Sequence, residues 1–163
     1  MKQLIFLMVV AGLLSCHHQP DKAQILLQNR IDSLEIKLAD TYRPGFGEFM
    51  GNIQAHHAKL WFAGQNHNWK LADFEIHEIM EGIEGIKTYE TDRKETESIR
   101  MIEPALDSVE QAIKQENIEQ FNQSYSYLTN TCVNCHQDNQ YEFIQIKIPE
   151  QQYFSNQEFA VKE

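Results

Sequence analysis

The sequence lacks a long hydrophobic run, a cluster of basic charge, and any strand-rich or repeated region. Its most apolar stretch, Leu4 to Leu14, is eleven residues long, whereas a membrane-spanning helix needs about 20. Lysine and arginine total 14 against 24 aspartates and glutamates, for a net charge of −10. Because no basic charge is clustered, a general nucleic-acid binder is excluded.

Cysteine is also scarce, with only three in the chain. The first, Cys16, ends the segment Leu13-Leu14-Ser15-Cys16, directly after Lys2 and the apolar run. This ending resembles the lipobox of bacterial lipoproteins. We therefore expect residues 1–15 to be a lipoprotein signal peptide and Cys16 to carry the lipid that anchors the chain to a membrane. The alternative is an ordinary signal peptide that leaves Cys16 as a free thiol.

The other two cysteines lie in Cys132-Val133-Asn134-Cys135-His136, the attachment motif of c-type haem. Two thiols at this spacing can add across the two vinyl groups of one porphyrin, and the adjacent histidine can bind the iron. We predict one covalent haem c held by Cys132 and Cys135, with His136 as the proximal iron ligand. No cysteine then remains for a structural disulfide.

Three other roles are open to this motif: a surface disulfide, half of a zinc site, and a thioredoxin-like redox pair. A zinc site would need a second ligand pair at similar spacing, for which His56-His57 is the only candidate. A thioredoxin-like pair would need a βαβ setting, which the sequence does not indicate.

Apolar residues at three- and four-residue steps predict helices over 25–40, 46–63, 69–89 and 99–113. Asn117 is a predicted N-cap for a last helix that carries the haem motif. Pro104 is expected in the first turn of the fourth helix or at a kink, and 90–97 is expected to be a solvated link. The predicted fold is all-α: an antiparallel four-helix bundle with an extra N-terminal helix and an extended C-terminal tail.

This fold divides the chain into four predicted segments. Residues 1–15 form the signal peptide, and 16–44 the lipidated cysteine, a tether and an amphipathic helix. Residues 45–140 form the haem-binding bundle, and 141–163 the tail. In the N-terminal helix, Leu27, Ile31, Leu34 and Leu38 form a narrow stripe with too few heptads to establish a coiled coil. This stripe is suited to packing on the domain, pairing with a partner helix, or docking the chain onto a larger respiratory complex.

A haem motif on the last helix of a bundle whose first helix contains a methionine resembles the cytochrome c-prime superfamily. The stretch 47–64, the Asn68-Trp69 helix start and the tail at 154–159 also resemble a poorly characterised set of bacterial cytochrome-c-like proteins. The resemblance covers about 45–160, excludes the 25–40 helix, and carries no assigned reaction. Dimerisation is common in related bundles, which leaves a homodimer open.

The resemblance also implies a residue on the distal side of the iron, supplied by the first bundle helix. The corresponding residue here is Met50, and a thioether ligand would give a six-coordinate electron carrier. Met50 as core filler is the alternative. His57, roughly 10 Å further along the helix, is the rival ligand, or else contacts a haem propionate or is a buried, hydrogen-bonded histidine.

Other residues near the haem are assigned only loosely from the sequence. His56 and His77 are expected at the surface. Lys59 and Arg100 are the cations considered for the haem propionates. Several aromatic residues are either pocket walls or plain core: Trp61, Trp69, Phe74, Phe121 and Tyr125.

These features predict a membrane-anchored monohaem c-type cytochrome that carries single electrons and is not an enzyme. Its partners would be the membrane and a membrane-associated redox protein, in the periplasm-facing envelope of a Gram-negative bacterium. An acidic surface suits a basic partner, although it also simply favours solubility. The alternative function is a five-coordinate haem protein that binds or senses NO or CO. A peroxidase would need a distal acid–base group, for which His57 is the only candidate.

Overall fold

The computed structural model describes residues 21–40 and 43–161, and within these residues all regular secondary structure is helical. The all-α prediction is therefore confirmed. The predicted signal peptide and Cys16 lie outside the described residues. The chain divides into two compact units between Arg43 and Pro44.

The first unit contains helix α1, Lys22–Ala39, which confirms the helix predicted over 25–40. A capping box begins it. Asp21 accepts a hydrogen bond from the Gln24 amide at 2.8 Å, and the Gln24 side chain accepts one from the Asp21 amide at 3.2 Å. No residue of α1 is buried.

The second unit contains the remaining helices. They are α2 (Phe46–Gln65), α3 (Trp69–Tyr89), α4 (Lys94–Ser98), a 3₁₀ turn (Ile99–Ile102), α5 (Glu103–Lys114) and α6 (Ile118–Asp138). The ends of α3 are those predicted from the sequence. Asn68 and Asn117 cap α3 and α6, and each side-chain oxygen accepts a hydrogen bond from the amide three residues later.

The segment around Pro104 differs from the prediction. The solvated link expected over 90–97 contains most of the short helix α4, and the helix expected over 99–113 is divided. Ile99–Ile102 forms a 3₁₀ turn, and Pro104 lies in the first turn of α5. Proline has no amide N–H to donate to the preceding turn, so a continuous α-helix is interrupted here.

The four long helices of the second unit enclose its core. Helix α2 packs against α3, α3 against α5, α5 against α6, and α6 against α2. Helices α2 and α3 approach closely at Gly85. A Cβ at this position would lie only 2.5 Å from the Phe49 ring, so the absence of a side chain allows the contact. The largest fully buried side chains include Tyr125, Phe121, Leu60, Ile76, Ile79, Ile86 and Leu128.

The tail after α6 has turns and bends but no helix or strand over 139–161. It nevertheless contributes to the core, since Phe159 is only 4% exposed. The Asn68 side chain donates a hydrogen bond to the Phe159 carbonyl at 3.1 Å. The tail is therefore fastened to the start of α3. Within the part of the chain that the structure describes, no helix is long and apolar enough to cross a membrane.

Candidate functional site

A cavity of about 440 Å³ lies in the second unit, bounded by α2, the 3₁₀ turn, α6 and the first part of the tail. Its volume falls in the range of about 300–1,000 Å³ that is usual for small-molecule and cofactor sites. All five residues predicted from the sequence to act at the site line it: Met50, His57, Cys132, Cys135 and His136. The fold therefore brings together residues of the first and last helices of the second unit, which are far apart in sequence.

The walls of the cavity are mainly apolar, with Phe46, Ile53, Ile83, Ile99, Ile102 and Ile146 among the lining residues. On α2, Gly47 and Gly51 also line it without contributing a side chain. A Cβ added at either glycine would meet no atom within 4 Å. The α2 wall is therefore open beside Met50.

The two cysteines lie one turn apart on α6, so both present their thiols to the same cavity. Neither forms a disulfide, and both are half-buried. Burial raises the pKa of Cys132 to about 12 and also raises the pKa of Cys135. Reactive thiols of redox pairs have a lowered pKa instead. This environment disfavours the thioredoxin-like interpretation of the motif.

His136 has a fixed orientation on the cavity wall. Its Nδ1 lies 2.9 Å from the Ile144 carbonyl oxygen. A carbonyl only accepts hydrogen bonds, so Nδ1 carries a proton, and in the neutral imidazole Nε2 is the nitrogen with the free lone pair. Histidines that bind metals are oriented in this way, by donating from the other ring nitrogen to a carbonyl or carboxylate.

The turn that ends α6 supplies that carbonyl. Gln140 adopts the left-handed conformation at φ 66°. The Tyr141 amide donates to the His136 carbonyl at 2.7 Å, and the Gln140 amide donates to the Gln137 carbonyl at 3.1 Å. This pair of bonds is a Schellman motif, which reverses the chain. It returns the tail, and Ile144 with it, to His136, a contact that sequence reasoning missed.

Two hydroxyl groups engage the ring nitrogens of His57. Its Nδ1 lies 3.0 Å from the Tyr125 hydroxyl, and its Nε2 lies 3.0 Å from the Thr129 hydroxyl. Each hydroxyl also lies within hydrogen-bond distance of a backbone carbonyl: Tyr125 of the His57 carbonyl at 2.8 Å, and Thr129 of the Tyr125 carbonyl at 2.9 Å. In the neutral ring, one nitrogen donates to one hydroxyl and the other nitrogen accepts from the second hydroxyl. Burial lowers the pKa of His57 to about 4. His57 is therefore a neutral histidine with both ring nitrogens engaged.

A polar group that sequence reasoning missed lies at the rim of the cavity. Arg93 and Tyr141 each donate a hydrogen bond to Glu95 Oε1 at 2.9 Å. The hydrogen bond from Arg93, more than that from Tyr141, lowers the pKa of Glu95 to about 2. This group ties the segment before α4 to the start of the tail, and all three residues line the cavity.

The cations considered from the sequence are placed differently. Among the described residues that line the cavity, Arg93 is the one with a positively charged lysine or arginine side chain. Lys59 and Arg100 are not part of the cavity wall. Lys59 instead lies 5.0 Å from the centre of the Phe154 ring, in a cation–π contact. Periodicity could not reveal Arg93, because it lies outside the long helices.

The expectation that His56 is a surface residue is wrong. Its imidazole is 19% exposed, and its Nδ1 lies 2.6 Å from Oε2 of Glu75, a carboxylate that is buried. The Gln157 side chain donates to the other Glu75 oxygen at 3.5 Å. The buried carboxylate thus joins α2, α3 and the tail. His77 is 49% exposed, as expected of a surface histidine.

The aromatic residues that were assigned to pocket wall or core form a separate cluster. The rings of Trp61 and Tyr125 are 4.9 Å apart, and those of Trp69 and Phe121 are 6.0 Å apart. None of these four residues is among the lining residues of the cavity. Phe74 is 54% exposed. Four of the five are therefore plain core.

Among residues 21–40 and 43–161, no group of three or more His, Cys, Asp or Glu side chains could hold a metal ion. A haem iron takes four ligands from its porphyrin, so one or two protein ligands complete it. Comparison with protein-family models, curated proteins and solved structures gives no match to this chain.

Proposed function

We propose that this chain is a membrane-anchored monohaem c-type cytochrome that carries single electrons. Cys132 and Cys135 would hold a covalent haem c, and His136 would bind its iron. The observation that carries the proposal is the hydrogen bond from His136 Nδ1 to the Ile144 carbonyl, beside two unpaired thiols on one cavity wall. Bound haem supplies a one-electron change of iron oxidation state.

The volume and the lining of the cavity support the proposed group. Cys132 and Cys135, which form no disulfide and lie one turn apart on the cavity wall, are the thiols that would add across the two vinyl groups of the porphyrin. The apolar walls would exclude water from the iron and thereby raise its reduction potential. Arg93 at the rim is the cation placed to face a propionate, although it also pairs with Glu95.

The finer architecture belongs to the same proposal. Helices α2, α3, α5 and α6 would form an antiparallel four-helix bundle around the haem. Support comes from the closed ring of contacts among these four helices. The connections before α3 and before α6 are short, whereas the one between α3 and α5 contains α4 and the 3₁₀ turn. Bundles of this kind build cofactor sites from inward side chains of facing helices, as α2 and α6 do here.

Met50 is the proposed distal ligand. It lines the same cavity as His136 and comes from the facing helix. His57 is the weaker candidate, because ligation would break a hydrogen bond to Tyr125 or Thr129 inside the core. The same bonds leave no free acid–base group on His57, so a peroxidase is disfavoured.

The location of the proposed cytochrome follows from Cys16 and from charge. Lipid on Cys16 would hold the protein at a membrane, facing the periplasm of a Gram-negative bacterium. A net charge of −10 suits a basic redox partner at that membrane, with encounter rates that fall as salt rises. The lipid anchor and the basic partner are both inferred from the amino-acid sequence alone.

A gas-binding protein is the second candidate, and one observation favours it. The open space at Gly47 and Gly51 adjoins Met50, so a thioether turned away from the iron would leave room for a diatomic ligand. Carbon monoxide separates the two functions. The electron carrier, with both axial positions filled by protein, is expected to bind it negligibly.

Absorption spectra of matched variants test the distal ligand. In Met50→Ala we expect loss of the Met–iron charge-transfer band and gain of carbon monoxide binding. Met80→Ala is the matched control, since Met80 is also half-buried against the core but lies on α3, outside the cavity wall. A band retained in Met50→Ala, or lost in His57→Ala alone, contradicts the Met50 assignment.

A further inference from the structure

Helix α1 carries an apolar stripe that no part of its own unit covers. Leu27, Ile31, Leu34 and Leu38 are 60%, 47%, 57% and 75% exposed. Their spacing of four, three and four residues is that of heptad positions d, a, d and a. Of the two a positions, Ile31 lies between leucines at d, a combination that favours two-stranded parallel coiled coils, and Leu38 is the other.

The charges beside the stripe select a partner and an orientation. In this register Arg30 occupies position g and Glu35 occupies position e. In a parallel, in-register pair, each g residue faces the e residue five positions later on the other helix. Arg30 of each copy would then face Glu35 of the other, giving two attractive contacts.

The antiparallel arrangement lacks this complementarity. There, g residues face g residues, which brings Arg30 and Lys37 of the two copies together along one edge of the stripe. The other edge would align Glu35 with Gln28. The charges beside the stripe are therefore complementary to those of a second copy in the parallel arrangement only.

We infer that α1 pairs with α1 of a second chain as a short, parallel, in-register coiled coil, which makes the protein a homodimer. The inference is independent of haem. At 18 residues, α1 is short for a coiled coil. A parallel pair has both N-terminal ends at one side, so anchoring of both chains to one membrane would raise their effective concentration.

Cysteine cross-linking in membranes that contain the full-length protein tests the register. Two copies of Leu38→Cys would face each other at an a position and form a 38–38 disulfide under mild oxidation, identified by mass spectrometry of the linked peptides. The matched control is Ile36→Cys, which is similarly exposed at 65% but lies on the outer f position. We expect the cross-link in the first variant and not in the second.

The same experiment can overturn the inference. In an antiparallel pair, residue 38 faces residue 27, so the two copies of residue 38 lie about 16 Å apart, beyond disulfide reach. Equal cross-linking of the two variants, absence of the 38–38 peptide, or cross-links only to another protein each refute the parallel pair.

Charge reversal tests the Arg30–Glu35 contact in the same full-length protein, in detergent solution. Each single reversal, Arg30→Glu or Glu35→Arg, creates two like-charged contacts and should weaken dimerisation by about fivefold or more. The double variant Arg30→Glu/Glu35→Arg should restore it. Sedimentation equilibrium measures the association. A monomeric wild type, or a double variant as weak as the singles, refutes the inference.

Discussion

Acidification should destabilise this protein through His57, and the size of the effect follows from its surroundings. The imidazole is 5% exposed, and burial lowers its pKa from 6.5 to about 4. In the unfolded chain it takes up a proton near pH 6.5. The folded state therefore has its full stability above that pH and loses it progressively as the pH falls toward 4.

The magnitude comes from the difference between the two pKa values. Each unit corresponds to about 1.4 kcal/mol. Integrated over the titration, the loss from His57 alone is about 2 kcal/mol by pH 5 and about 3 kcal/mol by pH 4. That is a substantial share of the roughly 5–15 kcal/mol of a typical domain.

Urea unfolding followed by far-UV circular dichroism at about pH 7.5 and about pH 5 measures this loss. Carboxylates and other histidines also titrate, so the comparison is with His57→Gln, whose stability should fall less between the two pH values. His77→Gln, which alters an exposed imidazole, should retain the wild-type slope. If His57→Gln and the wild type lose the same free energy on acidification, His57 is not a buried neutral histidine.

Two further stability predictions concern the same core. Tyr125→Phe removes the hydroxyl that is hydrogen-bonded to His57 Nδ1 and to the His57 carbonyl, and should cost about 1–3 kcal/mol. Tyr127→Phe, at an exposed position on the same helix, should change stability by less than about 0.5 kcal/mol. Equal effects would contradict the hydrogen-bond network. Gly64→Ala places a Cβ 2.2 Å from the Phe121 ring. The clash should destabilise the folded state by about 1–3 kcal/mol. The higher helix propensity of alanine should offset up to about 1 kcal/mol of that loss. A raised unfolding midpoint would show that the ring can move aside.

Local sequence patterns predicted the long helices well, because periodicity and caps are local. The ends of α3 follow from the Asn68 cap and the apolar period that starts after it. The short helix α4 was missed, since its five residues contain no apolar periodicity and none of them is buried. Its Glu95 accepts hydrogen bonds from Arg93 and Tyr141, which are contacts that depend on the tertiary structure.

The sequence predicted which residues line the candidate site, but not the hydrogen bonds that orient them. The motif named Cys132, Cys135 and His136 directly, and all three line one cavity. The Ile144 carbonyl could not be predicted, because its contact depends on how the chain reverses after α6. The two hydroxyl groups that engage His57 could not be predicted either, since they lie about 70 positions away along the chain.

The most direct test of the central claim is whether pigment stays with the polypeptide in acidified acetone. The protein should be matured in a host that has working haem-attachment machinery. The wild type should keep its haem on the chain after extraction, and Cys132→Ala/Cys135→Ala should lose it. A colourless wild type, or a wild type whose pigment is extracted completely, would contradict covalent haem at this site.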